Sequence, residues 1–270
     1  MYLKLFSILF FASIFKTDAP IEVETIRLIN AATGKSTSQM IVSAAKSLIG
    51  KPYVGHTLEI NSSEKLVCNL SGLDCATFVE NVVAAVVSNK NKQIDYISFK
   101  KNLQSLRYQN GQIQGYGSRI HYFSDWLVRN EAKAGFKNIS KELDGELRIS
   151  KIDFMSAHAN LYKQIGVENC LDRIEKAEAT LNSNSVYFIP KIKVSQILSK
   201  IKSGDIIAFT STVAGLDCNH EGFALVENGE VRLLHASLEK KRVVVSEETL
   251  SEYLSRIKKH SGIIVARFNN

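Results

Sequence analysis

The last third of the chain constrains the fold most. From about residue 186 onward, short apolar runs alternate with polar residues and turn signals, which is the pattern of strands. Val186 to Pro190 reads as one strand. Asp205 to Thr210, Gly222 to Glu227, Val231 to Ser237, Arg242 to Val245 and Ile263 to Phe268 read as further ones. Asn228-Gly229 joins two of them as a tight hairpin, because this pair of residues tolerates the positive φ angles of a right-twisted antiparallel turn. A short helix over 194–202, with Ile197, Leu198 and Ile201 on one face, ends at Gly204. Ser246 is placed to cap another, with Glu247 and Glu248 in its first turn. Ahead of residue 186 the periodicity is helical. Helices first and an antiparallel meander afterwards define the α+β class.

In the helical part, residues 20–37 are polar and mixed. Ser36 to Ser38 then offer a cap for a helix whose face is Ile41, Ala44, Ala45 and Leu48, ending at Gly50. The stretch from Gly50 to Glu59 is turn-rich, and Pro52 with its flanking glycines sets Tyr53 on a defined loop. Leu73-Asp74-Cys75-Ala76-Thr77-Phe78-Val79-Glu80 opens an apolar helix in which Phe78, Val82 and Val86 recur every four residues and Val79 and Val83 fill the same face. Residues 95–108 predict another helix, with Ile97, Leu103 and Leu106 apolar, before a turn at Asn110-Gly111. Residues 115–126 gather aromatics with Arg119, His121 and Asp125, and include the only tryptophan, Trp126. By pattern that run is an aromatic mini-core with Asp125 as a helix cap. Its composition also suits sugar or peptide recognition. Helices at 124–134, 154–165 and 168–182, a turn at Asp144-Gly145 and a short strand within 139–152 complete a charged block. We read about 110–185 as a helical insertion beside a smaller core.

With 270 residues, 45% of them hydrophobic, the chain can bury a core without disulfides or metals. Only three prolines occur and no Pro- or Gly-rich linker is visible, so residues 20–270 are expected to form one domain. The net charge of +7 is spread out, with small clusters at Lys240-Lys241-Arg242 and Lys258-Lys259. No basic stripe interleaved with aromatics appears, so nucleic acid is not an expected partner. A modest positive balance suits polyanionic surroundings such as a bacterial envelope. Lys4 followed by the apolar run from Leu5 to Phe15, too short to span a bilayer, reads as a signal peptide over residues 1–19 ending at Thr17-Asp18-Ala19. The chain is then expected to be exported, periplasmic or extracellular, with no stable membrane insertion and as a monomer. Export permits disulfides. If Cys75 stays free, at most one bridge forms among Cys68, Cys170 and Cys218, and the pairing is open. No cysteine or histidine spacing of a zinc site occurs, and neither a metal nor another cofactor is expected.

Cys75 sits in the first turn of its helix, where free backbone N–H groups and the helix dipole favour a negative charge. A thiol there tends to ionise below its ordinary pKa of about 8.5 and become a nucleophile. The same residue also suits the role of a small buried filler, and the helix alone does not decide between them. The histidines do more. His220 lies at the start of one strand of the Asn228-Gly229 hairpin and His235 in the other. Pairing about the turn sets positions summing to roughly 457 opposite one another, so His235 faces Gly222, which shares a face with His220. That places the two imidazoles within one diagonal of contact. A cysteine on a helix start with a histidine far downstream on a strand is the arrangement of cysteine hydrolases.

On these residues the chain resembles the NlpC/P60 superfamily of cell-wall cysteine peptidases and amidases, and within it the DUF1460 family. The resemblance is carried by Pro52-Tyr53, the stretch from Leu73 to Glu80, the run from Ser118 to Trp126, Tyr187 to Pro190, Gly204-Asp205, Gly215-Leu216-Asp217, His220-Glu221-Gly222-Phe223 and His235-Ala236-Ser237. It extends from about residue 40 to 268. It implies a papain-like core with the cysteine helix packed on an antiparallel sheet, and a Cys75–His220–His235 triad. It sets Tyr53 beside the thiol, and lines a substrate groove with Arg119, His121, Tyr122, Ser124, Asp125 and Trp126. The implied activity is that of an N-acetylmuramoyl-L-alanine amidase, cutting between the muramic lactyl group and the first peptide residue of peptidoglycan or its muropeptide fragments. Cys68, Cys218, His56 and Asn219 depart from the family pattern, and Cys218 near His220 bears on the redox state. The alternatives are cleavage at the D-glutamyl–diamino acid bond, binding of muropeptides without turnover, and acyl transfer by the same triad.

Overall fold

The structure, a computed structural model, describes residues 19–269. The signal peptide expected over residues 1–19 lies outside the described residues but for its last. Helices α1 (Ile21–Ala31) and α2 (Thr37–Ser47) pack on a longer one, α3 (Cys75–Lys90), and α4 (Tyr96–Arg107) closes another side of it. Helix α1 is a correction to the sequence reading. It buries only Thr25, Leu28 and Ile29, so its apolar stripe is too narrow to stand out among polar neighbours. Ser36 caps α2 as expected, its side chain accepting from the Gln39 N–H. Helix α3 is buried far more widely than one stripe, with every residue from Thr77 to Val86 inside. Each fully buried Val or Phe there stabilises the fold by roughly 1.5–3 kcal/mol. Asp74 caps it, in a reciprocal box with Thr77.

Beyond α4, α5 (Phe123–Ala134) leads into the strands β1 (Phe136–Asn138) and β2 (Glu146–Leu147). Asp125 does not cap α5. It lies in the first turn and pairs with Arg129 one turn on, at 2.7 Å. The helix expected over 154–165 is broken into α6 (Phe154–Ala157) and α7 (Lys163–Val167), with a 3-10 turn between, before α8 (Leu171–Asn182). Next come β3 (Tyr187–Pro190) and α9 (Val194–Ile197), shorter than predicted and flanked by 3-10 turns. The meander is β4 (Ile206–Ser211), β5 (Cys218–Glu227), β6 (Glu230–Ser237) and β7 (Arg242–Thr249), then α10 (Leu250–Arg256) and β8 (His260–Phe268). Ser246 is not the cap of α10. Its hydroxyl accepts from the Leu233 N–H and donates to the Glu248 carbonyl where β6 and β7 shift register, so β7 runs on to Thr249. Thr249 makes the capping box instead, with Glu252.

The strands lie in the order β2-β3-β8-β4-β5-β6-β7, with β1 also on β8, and every pair is antiparallel. The hairpin register is the predicted one, with Phe223 opposite Leu234 and Ala224 opposite Leu233. Asn228 and Gly229 have φ of 52° and 81°, as this turn requires. Side chains alternate between two cores. Ile206, Ala208, Phe223 and Leu234 join the helical core around α3, while Ile207, Phe209, Ala224 and Leu233 join Leu250 and Leu254 of α10 on the opposite face. The sheet thus separates two apolar layers, an α+β arrangement. No described helix is long and apolar enough to cross a membrane.

Candidate functional site

Two local irregularities open the sheet at one place. β5 and β6 pair only as far as Phe223 and Leu234. Beyond that point His235 pairs with Val244 of β7, while Gly222, Glu221 and His220 pair with β4 alone. A bulge between Phe209 and Thr210 also makes Asn219 the extra residue of β5, so Cys218 and His220 oppose successive positions of β4. The first residue of α3, Cys75, meets the sheet here. A cavity of about 190 Å³ runs beside it, walled by Val79 and Glu80 of α3, by Ile120, His121, Tyr122, Phe123 and Trp126, and by Leu216 to Glu221.

His220 Nε2 and His235 Nδ1 are 2.6 Å apart, with the rings 4.9 Å between centroids and nearly perpendicular. The sequence register placed them within reach, and the structure brings them into a hydrogen bond. Behind them stands an aromatic cluster. Tyr253 of α10 lies 5.9 Å from the His220 ring and 5.4 Å from the His235 ring, and Phe209 stacks on both His220 and His260. Burial favours the neutral form of both imidazoles: His235 is lowered to about 4, and His220 lies well below its ordinary value, with His235 and His260 adding to the effect.

The thiol behaves against the helix-start expectation. Burial pushes Cys75 well up, Glu221 and Asp74 push it further, and the backbone N–H groups of Glu221 and Ala76 only partly oppose them. Desolvation and two nearby carboxyl groups outweigh the helix dipole. Both shifts disfavour a preformed thiolate–imidazolium pair at rest. Tyr53 stands beside this end of α3, because its strand-like segment bridges to Leu73 and its N–H donates to the Lys241 carbonyl. Its phenol is raised to about 12, by burial first and then by Cys75 and Asp74.

The aromatic run divides. His121, Tyr122 and Trp126 line the cavity, and Phe123 joins them. Burial drives His121 down to about 3, and its Nε2 lies 3.0 Å from the Tyr116 carbonyl. Tyr122 offers only its ring, since its hydroxyl donates to Glu178 and accepts from the Met155 N–H. Arg119, Ser124 and Asp125, expected in the groove, are not among the residues that line this cavity. Arg119 is buried against Glu59 and Glu64 and stacks on Tyr116 at 4.8 Å, fixing the 56–64 loop. Ser124 is spent on Asp217 and Arg148, and Asp125 on Arg129. All four cysteines are free thiols, and Cys218 lines the cavity with Cys75.

Sequence reasoning missed Glu221, Asp217 and Tyr253. Glu221 carried a signal, as a lone acid between His220 and an apolar strand. Asp217 was noted only as part of a motif. Tyr253 had none, because only the packing of α10 across the sheet brings it to the histidines.

The sequence model of the AmiA-like family, N-acetylmuramoyl-L-alanine amidase-like, matches residues 43–263. The chain belongs to this family. The AmiA-like match takes in Cys75, His220, His235 and the whole cavity wall. An N-acetylmuramoyl-L-alanine amidase from Bacteroides uniformis ATCC 8492 is 36% identical, with 86% of this chain and 99% of that one covered and a TM-score of 0.79. A Bacteroides fragilis structure with a provisional xylanase name is 34% identical over 83% of this chain and 99% of its own, at a TM-score of 0.77. A Legionella pneumophila protein of the DUF1460 family shares the fold, at 20% identity and a TM-score of 0.70 over 92% of this chain and 94% of that one. No curated protein matches the chain.

Proposed function

We propose that this AmiA-like protein is a cysteine amidase that hydrolyses the bond between N-acetylmuramic acid and L-alanine in peptidoglycan or muropeptides, through a thioester. The observation that carries the reading is the 2.6 Å contact between His220 and His235 beside the Cys75 cavity. The family and the 36%-identical relative named for this activity supply the substrate. A papain-like core of the NlpC/P60 type, formed by residues 20–270, belongs to the same reading. So does export, which rests on the sequence of residues 1–19 alone.

The mechanism follows from the resting state. With the His220 Nε2–H donating to His235 Nδ1, the tautomer this mechanism requires, His220 Nδ1 is left as the free acceptor. As the thiol attacks the lactyl carbonyl, Nδ1 takes its proton, and the imidazolium that forms is stabilised through His235. The proton moves during attack because neither group is charged beforehand. The free N–H groups at the start of α3, with the Tyr53 hydroxyl, are candidate donors to the oxyanion. His220 then returns the proton to the alanine amine, and water hydrolyses the thioester. Trp126, Phe123, His121 and the Tyr122 ring line the cavity that receives the substrate.

The xylanase name borne by one relative would ask for two free carboxyl groups flanking a glycosidic bond. Glu80 is engaged by Arg107 and Asp217 by the Ser124 N–H, which leaves Glu221 alone. Incubation with a defined muropeptide, read by mass spectrometry, tests the proposal. The expected products are free stem peptide and intact sugar. A split peptide points instead to endopeptidase action, and no turnover rejects both.

A further inference from the structure

We propose that Glu221 is a specificity-determining residue that holds an acetamido group in the Cys75 cavity, its carboxyl meeting the amide N–H and C=O. The inference rests on the reading of the site as an amidase for N-acetylmuramoyl substrates. It starts from an unsatisfied group. Three acidic side chains line the cavity, and two of them are satisfied: Glu80 receives Arg107 at 2.8 Å and Asp217 receives the Ser124 N–H at 2.7 Å. Glu221 is only 8% exposed, and its Oε2 is buried without any hydrogen-bond partner among the described residues. Such an orphan is uncommon in a folded chain and calls for a ligand or a functional reason. A second orphan lines the same cavity, the indole Nε1–H of Trp126, which can only donate.

The charge around Glu221 decides what it can bind. Glu80 on α3, Asp74 at its cap and Asp217 ahead of β5 all act on it by charge, and it acts in turn on Cys75. Arg107 is tied to Glu80 and Arg148 to Ser124, and Glu221 has no ion pair among the described residues. Burial and the three carboxyl neighbours push its carboxyl well above the usual carboxylate range, which favours the acid form. A carboxylic acid offers one O–H donor and one carbonyl acceptor, the same pattern as a secondary amide. The apolar part of the wall, Val79, Ile120 and the Trp126 ring, suits the methyl end of that amide. An ionised Glu221 would instead prefer an ammonium, so the de-N-acetylated sugar separates the two cases with opposite sign.

The test measures equilibrium binding by calorimetry to the Cys75→Ala chain, which cannot turn over. The probes are N-acetylmuramoyl-L-alanyl-D-isoglutamine and its de-N-acetylated counterpart. The acetylated probe is expected to bind about 30-fold more tightly, and Glu221→Ala in the same background to bring the ratio to within about 3-fold. Glu221→Gln keeps both donor and acceptor and is expected to retain most of the ratio. As pH rises through the ionisation of Glu221, the preference should fall in the parent and persist in the Gln variant. Equal or inverted preference, no measurable binding of the acetylated probe, or a ratio that survives Glu221→Ala overturns the assignment. Turnover by the chain with Cys75 intact is scored separately. Its absence sinks the amidase reading and leaves the binding ratio standing, whereas turnover without a ratio sinks only the role of Glu221.

Discussion

At the scale of single residues, the proposed mechanism has His235 reach the chemistry only through His220. In that mechanism its contribution is to fix the tautomer and ring angle of His220 and to share the charge that appears there. His235→Ala is therefore expected to lower kcat by about 10²- to 10⁴-fold with KM little changed, and His235→Asn to recover part of the loss. Steady-state kinetics on a muropeptide checks this, and a loss confined to KM would contradict it. His260 behaves differently. It is buried behind the pair on Phe209, its Nδ1 has no partner among the described residues, and burial lowers it to about 4. Its folded pKa lies below the unfolded one of about 6.5, so the unfolded chain binds the extra proton first. The stability linked to neutral His260 is complete above about pH 6.5 and is lost as pH falls toward about 4. His260→Phe should melt progressively higher than the parent as pH drops through that window. A Tm difference that does not change with pH would refute it.

At the scale of elements, α3 ties stability to reactivity. Its cap, Asp74, holds the Thr77 N–H at 2.8 Å and also raises the Cys75 thiol. Asp74→Ala should cost about 1 kcal/mol in denaturant unfolding. Asp74→Asn should largely keep the cap and shift the pH profile of Cys75 alkylation toward lower pH, because the carboxylate that opposes the thiolate is gone. Unchanged alkylation in Asp74→Asn would rule out that coupling. Arg107 is buried between α4 and α3 on Glu80. Arg107→Leu leaves that acid alone inside and should cost about 3–5 kcal/mol; a change under 1 kcal/mol would show Glu80 is not held by charge. These elements also show what a sequence can reveal. Helices α2 to α5 and the hairpin register were legible because their apolar periods and the Asn228-Gly229 turn act locally. Helix α1 was hidden by its narrow stripe. The breaks between α6 and α7 and the shift of the α10 cap from Ser246 to Thr249 depend on tertiary pairing, which no local pattern records.

At the scale of the molecule, the sheet carries the helical layer on one face and the α9–α10 layer on the other, and the site lies where β5 and β6 part. The place of Cys75 at a helix start and the meeting of His220 with His235 were legible in the chain, because a helix start and a tight hairpin encode those positions locally. The cavity wall could not be divided in the same way. The family resemblance lined the groove with Arg119, Ser124 and Asp125, whereas each is used up by an inward partner. Glu221 and Tyr253 gained their places only through packing. The upward push on the thiol is likewise a property of the assembled interior, since it arises from burial and from acids contributed by two elements. The central claim is that Cys75, served by His220, opens the bond between muramic acid and L-alanine. Its most direct test is mass spectrometry of a defined muropeptide after incubation with the parent chain and with Cys75→Ala. The account predicts release of intact stem peptide by the parent and none by the variant; full cleavage by Cys75→Ala would contradict it.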